Sequence, residues 1–211
     1  MAQKERRLIN TDARFTSLSA DIIMTDPPYD MPGKDLADIL SGIESNHLVL
    51  VTTMRQLFEF SVAAPDWKLA FDFVLDAVVP KKSKSVYTPH YTHQTGVYMT
   101  RNNAKSAFDR KRRERSDTFD GKGYWPTVLR APRDRSDEHG MAKNLTAWTD
   151  ILGSFDIKSV VDPFAGSCTT GFAAIELGID FTLVEIDADM CADVRKRFKF
   201  IGIPLSFTSA R

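Results

Sequence analysis

Cysteine is scarce in this chain. Cys168 and Cys191 are the only two, too few for a disulfide framework and not spaced as a CxxC pair, which suits a reducing compartment. The histidines His47, His90, His93 and His139 are too scattered for a structural zinc site, so no metal is expected. Long hydrophobic runs are missing as well: none approaches the roughly 20 residues that span a bilayer. The opening Met1-Ala2-Gln3-Lys4-Glu5-Arg6-Arg7 leads into no secretory apolar segment, and the expectation is a cytoplasmic protein. Net charge is also absent, because 28 basic side chains face 28 acidic ones; the overall balance therefore does not point to nucleic acid. No internal repeat or low-complexity tract is present.

What is there is an ordinary globular composition, 43% apolar and 27% charged over 211 residues, enough for one domain with a sizeable core. Short apolar runs at residues 8–10, 22–25, 47–51, 68–79, 96–99, 159–161 and 181–184 read as strands. Helical spacing appears at residues 34–43, 56–62, 143–152, 169–177 and 188–200, with Gly178 stopping the fourth. Strands that are apolar throughout and alternate with helices imply a mostly parallel sheet covered on both faces. Ligands of such sheets collect beyond the carboxyl ends of the strands, where the strand order reverses. Asp12, Asp26, Asp162 and Glu185, each at a strand end, are candidates on that ground alone.

From residue 101 to 141 the periodicity fades and charges, glycines and prolines dominate, so this stretch reads as an insertion or mobile loop. Its first part is basic. Arg101, Lys105, Arg110, Lys111, Arg112, Arg113 and Arg115 face only Asp109 and Glu114, a local patch suited to phosphate, with a solvated basic surface as the lesser, competing reading.

Two segments stand out chemically. Asp26-Pro27-Pro28-Tyr29 follows a strand; its prolines stiffen the turn and leave carbonyl oxygens as acceptors. An acid and a carbonyl could accept the two hydrogens of a planar amine while Tyr29 stacks on its ring. The second is Asp162-Pro163-Phe164-Ala165-Gly166-Ser167-Cys168-Thr169-Thr170-Gly171, between a strand and a helix. It lacks the lysine of a P-loop and the GxGxxG of a dinucleotide site. Glu185 ends the next strand about twenty residues beyond Gly166, a distance at which acids commonly accept hydrogen bonds from a ribose diol. Asp187 is better placed to cap the following helix. Taken singly, the loop from Asp162 serves structure as readily as chemistry, and a Pro-Pro turn with an acid and a tyrosine is structural more often than catalytic.

Together they carry a resemblance. DPPY resembles the catalytic motif of amino-directed DNA methyltransferases, and VVDPFAGSCTTG resembles their cofactor loop, usually DPFxGSGTT. The order, catalytic motif first and cofactor motif last, is similar to the β-type permutation of that family. The resemblance covers residues 8–79 and 139–200, with a weaker likeness of residues 138–144 to the family's H-P-x-x-K-P stretch, here without both prolines. It implies a doubly wound, Rossmann-like α/β fold in permuted order, with a mostly parallel seven-stranded sheet and helices on both faces. A single domain spanning residues 1–211 would carry a target-recognition or mobile insertion at residues 101–138.

The resemblance further implies S-adenosyl-L-methionine as cofactor, held by Asp12, Asp162, Phe164, Gly166, Ser167, Cys168, Thr169 and Glu185. Asp26, Pro27, Pro28 and Tyr29 would grip the exocyclic amine of a base flipped out of double-stranded DNA, and the basic run would contact phosphate. Aspartate at position 26 favours adenine N6 over cytosine N4, where the family more often has serine. An RNA-base methyltransferase and a catalytically silent nucleic-acid-binding scaffold are the competing readings. Cys168 departs from the family's glycine; because residues opening a helix have ordinary α dihedrals, the expectation is that cysteine fits there and cofactor binding is kept.

Overall fold

The computed structural model describes residues 4–81, 86–87, 91–113, 125–131 and 143–209. Its elements are β1 (Arg6–Asn10), β2 (Ile22–Thr25), α1 (Gly33–Ser41), β3 (His47–Thr52), α2 (Met54–Ala63), β4 (Lys68–Lys81), β5 (Tyr91–Thr100) and β6 (Val128–Arg130). They continue with α3 (Leu145–Gly153), β7 (Ser159–Asp162), α4 (Thr169–Leu177), β8 (Asp180–Glu185), α5 (Ala188–Phe200) and β9 (Ser206–Ser209).

The strands form one sheet in the order β6-β4-β5-β3-β2-β7-β8-β1-β9. All neighbours are parallel except β5, which runs antiparallel to both β3 and β4. Among the described residues the sheet has nine strands where seven were expected. The additions are the short edge strands β6, parallel to β4, and β9, parallel to β1. Neither has an apolar pattern of its own, since β9 is almost wholly exposed and only Leu129 of β6 is buried. β5 is also longer than the apolar run at 96–99 indicated, because its first half consists of polar residues that pair along β4.

Two faces are buried by strict alternation. Ile22, Met24, Val49, Val51, Val160 and Leu183 point into one core, while Ile23, Leu48, Leu50, Val161 and Val184 point into the other. Period-two alternation of wholly apolar strands is what a sheet between two helical layers requires. Helices α1 and α2 cover the second face, α3, α4 and α5 the first. The described parts of the segment read as an insertion also pack on the first face: Phe108 and Trp125 stack edge-on with each other and with Phe71.

One topological fact positions the site. Adjacent strands β2 and β7 leave the sheet's centre in opposite directions, β2 toward β3 and β7 toward β8. Beyond their carboxyl ends lies the crevice in which doubly wound sheets bind ligands. The segments that follow these two strands are Asp26-Pro27-Pro28-Tyr29 and the loop that opens at Pro163.

Candidate active site

The tips of β2 and β7 are bonded to each other. Thr25 donates its hydroxyl to Asp162 Oδ1 at 2.6 Å, and Thr170 at the start of α4 donates to Oδ2 at 2.6 Å. The Phe164 amide adds a third bond at 3.1 Å, and Trp148 of α3 donates its indole N–H to Thr170. Burial dominates the chemistry of Asp162 and pushes its carboxyl up to about 6, although the three donors pull the other way. Asp162 borders the pocket, but its oxygens face inward to these partners. It shapes the loop expected to hold the cofactor.

That loop turns on two left-handed residues. Gly166 has φ +49°, with open space where a Cβ would stand. Cys168, the N-cap of α4, has φ +62° and ψ +34°. The expectation of an ordinary α dihedral at Cys168 is therefore corrected: the backbone adopts the conformation that favours glycine, and a side chain there is strained. The thiol does not obstruct the pocket. It is fully buried in the first core, near the Gly166 carbonyl at 3.6 Å, and burial keeps its pKa well above the ordinary thiol value.

Glu185 closes the loop from the neighbouring strand. Its Oε2 accepts from the Gly166 amide and its Oε1 from the Asp187 amide, both at 2.8 Å. Each carboxylate oxygen has a second lone pair for a ligand hydroxyl. Asp187 caps α5 by accepting from the amides of Asp189 and Met190, the role its sequence position suggested. Asp12 caps the short turn Ala13–Phe15 and is paired with Arg14; the hydrogen bond from that guanidinium holds its carboxyl below the usual range.

On the β2 side, Asp26 is gripped at both oxygens. Tyr29 donates its hydroxyl to Oδ1 at 2.9 Å, and Lys143 forms an ion pair with Oδ2. Gln94 of β5 donates to the Tyr29 hydroxyl, which also lies 3.4 Å from Lys143 Nζ. The turn itself is fixed by Gln56, buried in α2, whose amide donates to the carbonyls of Pro28 and Met31. The Met31 amide also donates to Pro28.

Asp12, Asp26, Pro27, Pro28, Tyr29, Asp162, Phe164, Gly166, Ser167, Thr169 and Glu185 thus border one pocket of about 720 Å³, a size typical of small-molecule sites. Cys168 is the one expected cofactor residue that does not line it. Lys143, Thr25, Thr170, Gln56 and Gln94 were not singled out from the sequence. Lys143 lies in the segment weakly similar to H-P-x-x-K-P, which was its only signal.

The basic run stands elsewhere. The Arg101 amide bonds to the Asn46 carbonyl just before β3, at the opposite end of the strands from the pocket. Its guanidinium donates to the carbonyls of Ser41, Ile43 and Ser45 and lies 4.6 Å over the Trp67 ring. Arg112 donates to Gly153 and pairs with Asp156, ahead of β7. Arg101 thus directs three of its five donors, and Arg112 two, at acceptors of the fold itself. Lys105, Arg110 and Lys111 are exposed at the same edge. The Arg113 side chain and Arg115 lie outside the described residues.

No family model matches the chain, and no curated protein matches it in sequence. Solved structures do. M1.HpyAVI in complex with SAM superimposes with a TM-score of 0.68 at 20% identity over 90% of this chain and 98% of that one. A Thermus thermophilus protein complexed with S-adenosyl-L-methionine gives 0.70 at 17% identity, over 98% and 99% of the two chains. PvuII DNA methyltransferase, cytosine-N4-specific, gives 0.69 at 14% identity, over 92% and 89%. The chain has the permuted, Rossmann-like methyltransferase fold.

Proposed function

We propose that the chain is an S-adenosyl-L-methionine-dependent DNA methyltransferase acting on the exocyclic amine of a flipped base, adenine N6 in particular. The observation that carries this reading is the sharing of one pocket by Asp26, at the end of β2, and the Gly166–Glu185 pair beside β7. The cofactor fits the residues present. Gly166 leaves room for close backbone approach, Glu185 and Asp12 offer carboxylate oxygens to hydroxyl and amine groups, and Phe164 supplies an apolar wall.

When bound, the cofactor supplies an already electrophilic methyl group, so the chain needs no activated nucleophile of its own. Its task is alignment and electrostatics. The Pro28 carbonyl is occupied by Gln56 and Met31, so the Pro27 carbonyl and Asp26 are the acceptors assigned to the two amine hydrogens. Acceptors in that position favour a pyramidal nitrogen and stabilise the positive charge that develops on it. Tyr29 would restore part of the stacking lost on flipping, roughly 1–3 kcal/mol per base. DNA reaches such a pocket only with the base extruded.

Aspartate at position 26 supports adenine over cytosine. The likeness to a cytosine-N4-specific enzyme makes N4 the alternative to test. Calorimetry with S-adenosyl-L-methionine, followed by labelled methyl transfer to unmethylated DNA and to RNA with nucleoside analysis of the product, separates the readings. Incorporation into DNA supports the proposal; incorporation into RNA alone, or no cofactor binding, rejects it.

A further inference from the structure

We propose that Lys143 is a positioning residue, which holds the Asp26 carboxylate ionised and oriented toward the incoming amine. The inference rests on the reading of Asp26 as the amine acceptor. It starts from two donors on one carboxylate: Lys143 Nζ on Oδ2 and the Tyr29 hydroxyl on Oδ1. With both oxygens held, the carboxylate cannot turn about its Cβ–Cγ bond without breaking one of them.

The ion pair is unlike one on an open surface. The side chain of Lys143 is 14% exposed and that of Asp26 22%, so water screens the pair weakly and its effect on protonation is correspondingly larger. The root of Lys143 is also fixed. It immediately precedes Asn144, whose side chain caps α3 by accepting from the Ala147 amide at 2.8 Å. Helix α3 is tied in turn to the tip of β7 through Trp148, Thr170 and Asp162. Lys143 therefore reaches across the pocket from a rigid base, its Nζ also 5.8 Å from the centre of the Tyr29 ring.

The chemistry requires the charged form. An ionised carboxylate only accepts hydrogen bonds, whereas a protonated one presents an O–H to the amine's own hydrogens. The groups facing Asp26 include Lys143 and Tyr29, with Asp162 acting on it as a like charge from β7. Asp12 with Arg14, Asp30, Asp35 and Glu185 line the same pocket. Lys143 is a cation in direct contact with it, and it opposes the repulsion from Asp162.

The test uses the full chain carrying Lys143→Met, Lys143→Gln or Lys143→Arg. The Asp26 carboxyl carbon is titrated by NMR without DNA or cofactor, using Asp26→Asn to assign it. An opposite charge at contact distance lowers an aspartate by about one to three pH units. The midpoint should therefore rise by about one unit or more in Lys143→Met and Lys143→Gln and stay near wild type in Lys143→Arg. The acid limb of kcat/KM for methyl transfer should move up by the same amount. A midpoint unchanged in both neutral variants overturns the proposal, as does a shift in Lys143→Arg as large as theirs. The titration needs no turnover, so a wild-type protein that methylates nothing rejects the reading of Asp26 and leaves the ion-pair inference to be decided by NMR.

Discussion

Thr25 and Asp162 join the carboxyl ends of β2 and β7 by a hydroxyl–carboxylate bond of 2.6 Å, buried at the centre of the sheet. This contact sets the spacing between the segment that would grip a base and the loop that would hold a cofactor. Thr25→Val keeps the shape and removes the donor. It should lower stability by about 1.5–3 kcal/mol, the range for hydrogen bonds to charged groups. Urea unfolding measures the loss, and a midpoint equal to wild type would show that the bond contributes nothing.

Asp162 itself should leave a mark on stability against pH. Its folded carboxyl sits at about 6, against 3.8 for an unperturbed aspartate, chiefly because burial disfavours the charge. Between those values the folded chain binds the proton and the unfolded chain does not. The contribution of Asp162 is therefore fully favourable below about pH 4, declines as pH rises toward 6 and is level above that. His47 acts in the opposite sense, because burial lowers its pKa and stability falls as pH drops below 6.5. Comparing Asp162→Asn with wild type cancels the His47 effect. The difference in unfolding free energy should move in favour of the variant from pH 4 to 6.5, and a constant difference would contradict the assignment.

The left-handed backbone at Cys168 gives a third test. A non-glycine residue there costs about 1–2 kcal/mol, partly offset by the buried thiol. Cys168→Gly should fall within about 1 kcal/mol of wild type, since relief of strain is balanced by lost packing and a freer unfolded chain. Cys168→Val, β-branched at φ +62°, should lose about 2 kcal/mol or more. Equal stability of the valine variant would mean that the loop relaxes to an ordinary dihedral.

Glu185 supports the loop and is proposed to meet the cofactor. Glu185→Ala removes the acceptor of the Gly166 amide at 2.8 Å along with the ligand's partner. Affinity for S-adenosyl-L-methionine should fall by about ten- to a hundredfold, the equivalent of one charge-assisted hydrogen bond. Calorimetry decides this, and unchanged affinity removes Glu185 from the site.

Much of this arrangement was legible in the sequence because the informative residues are local. Two prolines end β2, Gly178 with φ +65° ends α4, and apolar runs mark the central strands. The first described residue of each motif, Asp26 or Asp162, follows from its place at a strand end. What was not legible depends on contacts between distant positions. β6 and β9 have no periodicity because they are edge strands, paired on one side and mostly exposed. Nothing in a run of arginines tells that Arg101 will cap carbonyls at the far end of β3. The dihedral at Cys168 is imposed by the loop as a whole, and the pairing of Lys143 with Asp26 joins residues from opposite halves of the chain.

The central claim is that Asp26 and the Gly166–Glu185 loop form one reaction centre. The most direct measurement is methyl transfer from labelled S-adenosyl-L-methionine to unmethylated double-stranded DNA, by wild type and Asp26→Ala, with nucleoside analysis of the product. The account predicts N6-methyladenine from wild type, and at least about a hundredfold less from the variant, as for loss of a transition-state acceptor, with cofactor affinity unchanged. Transfer by Asp26→Ala at the wild-type rate, or a wild type that binds the cofactor and methylates no nucleic acid, would contradict it.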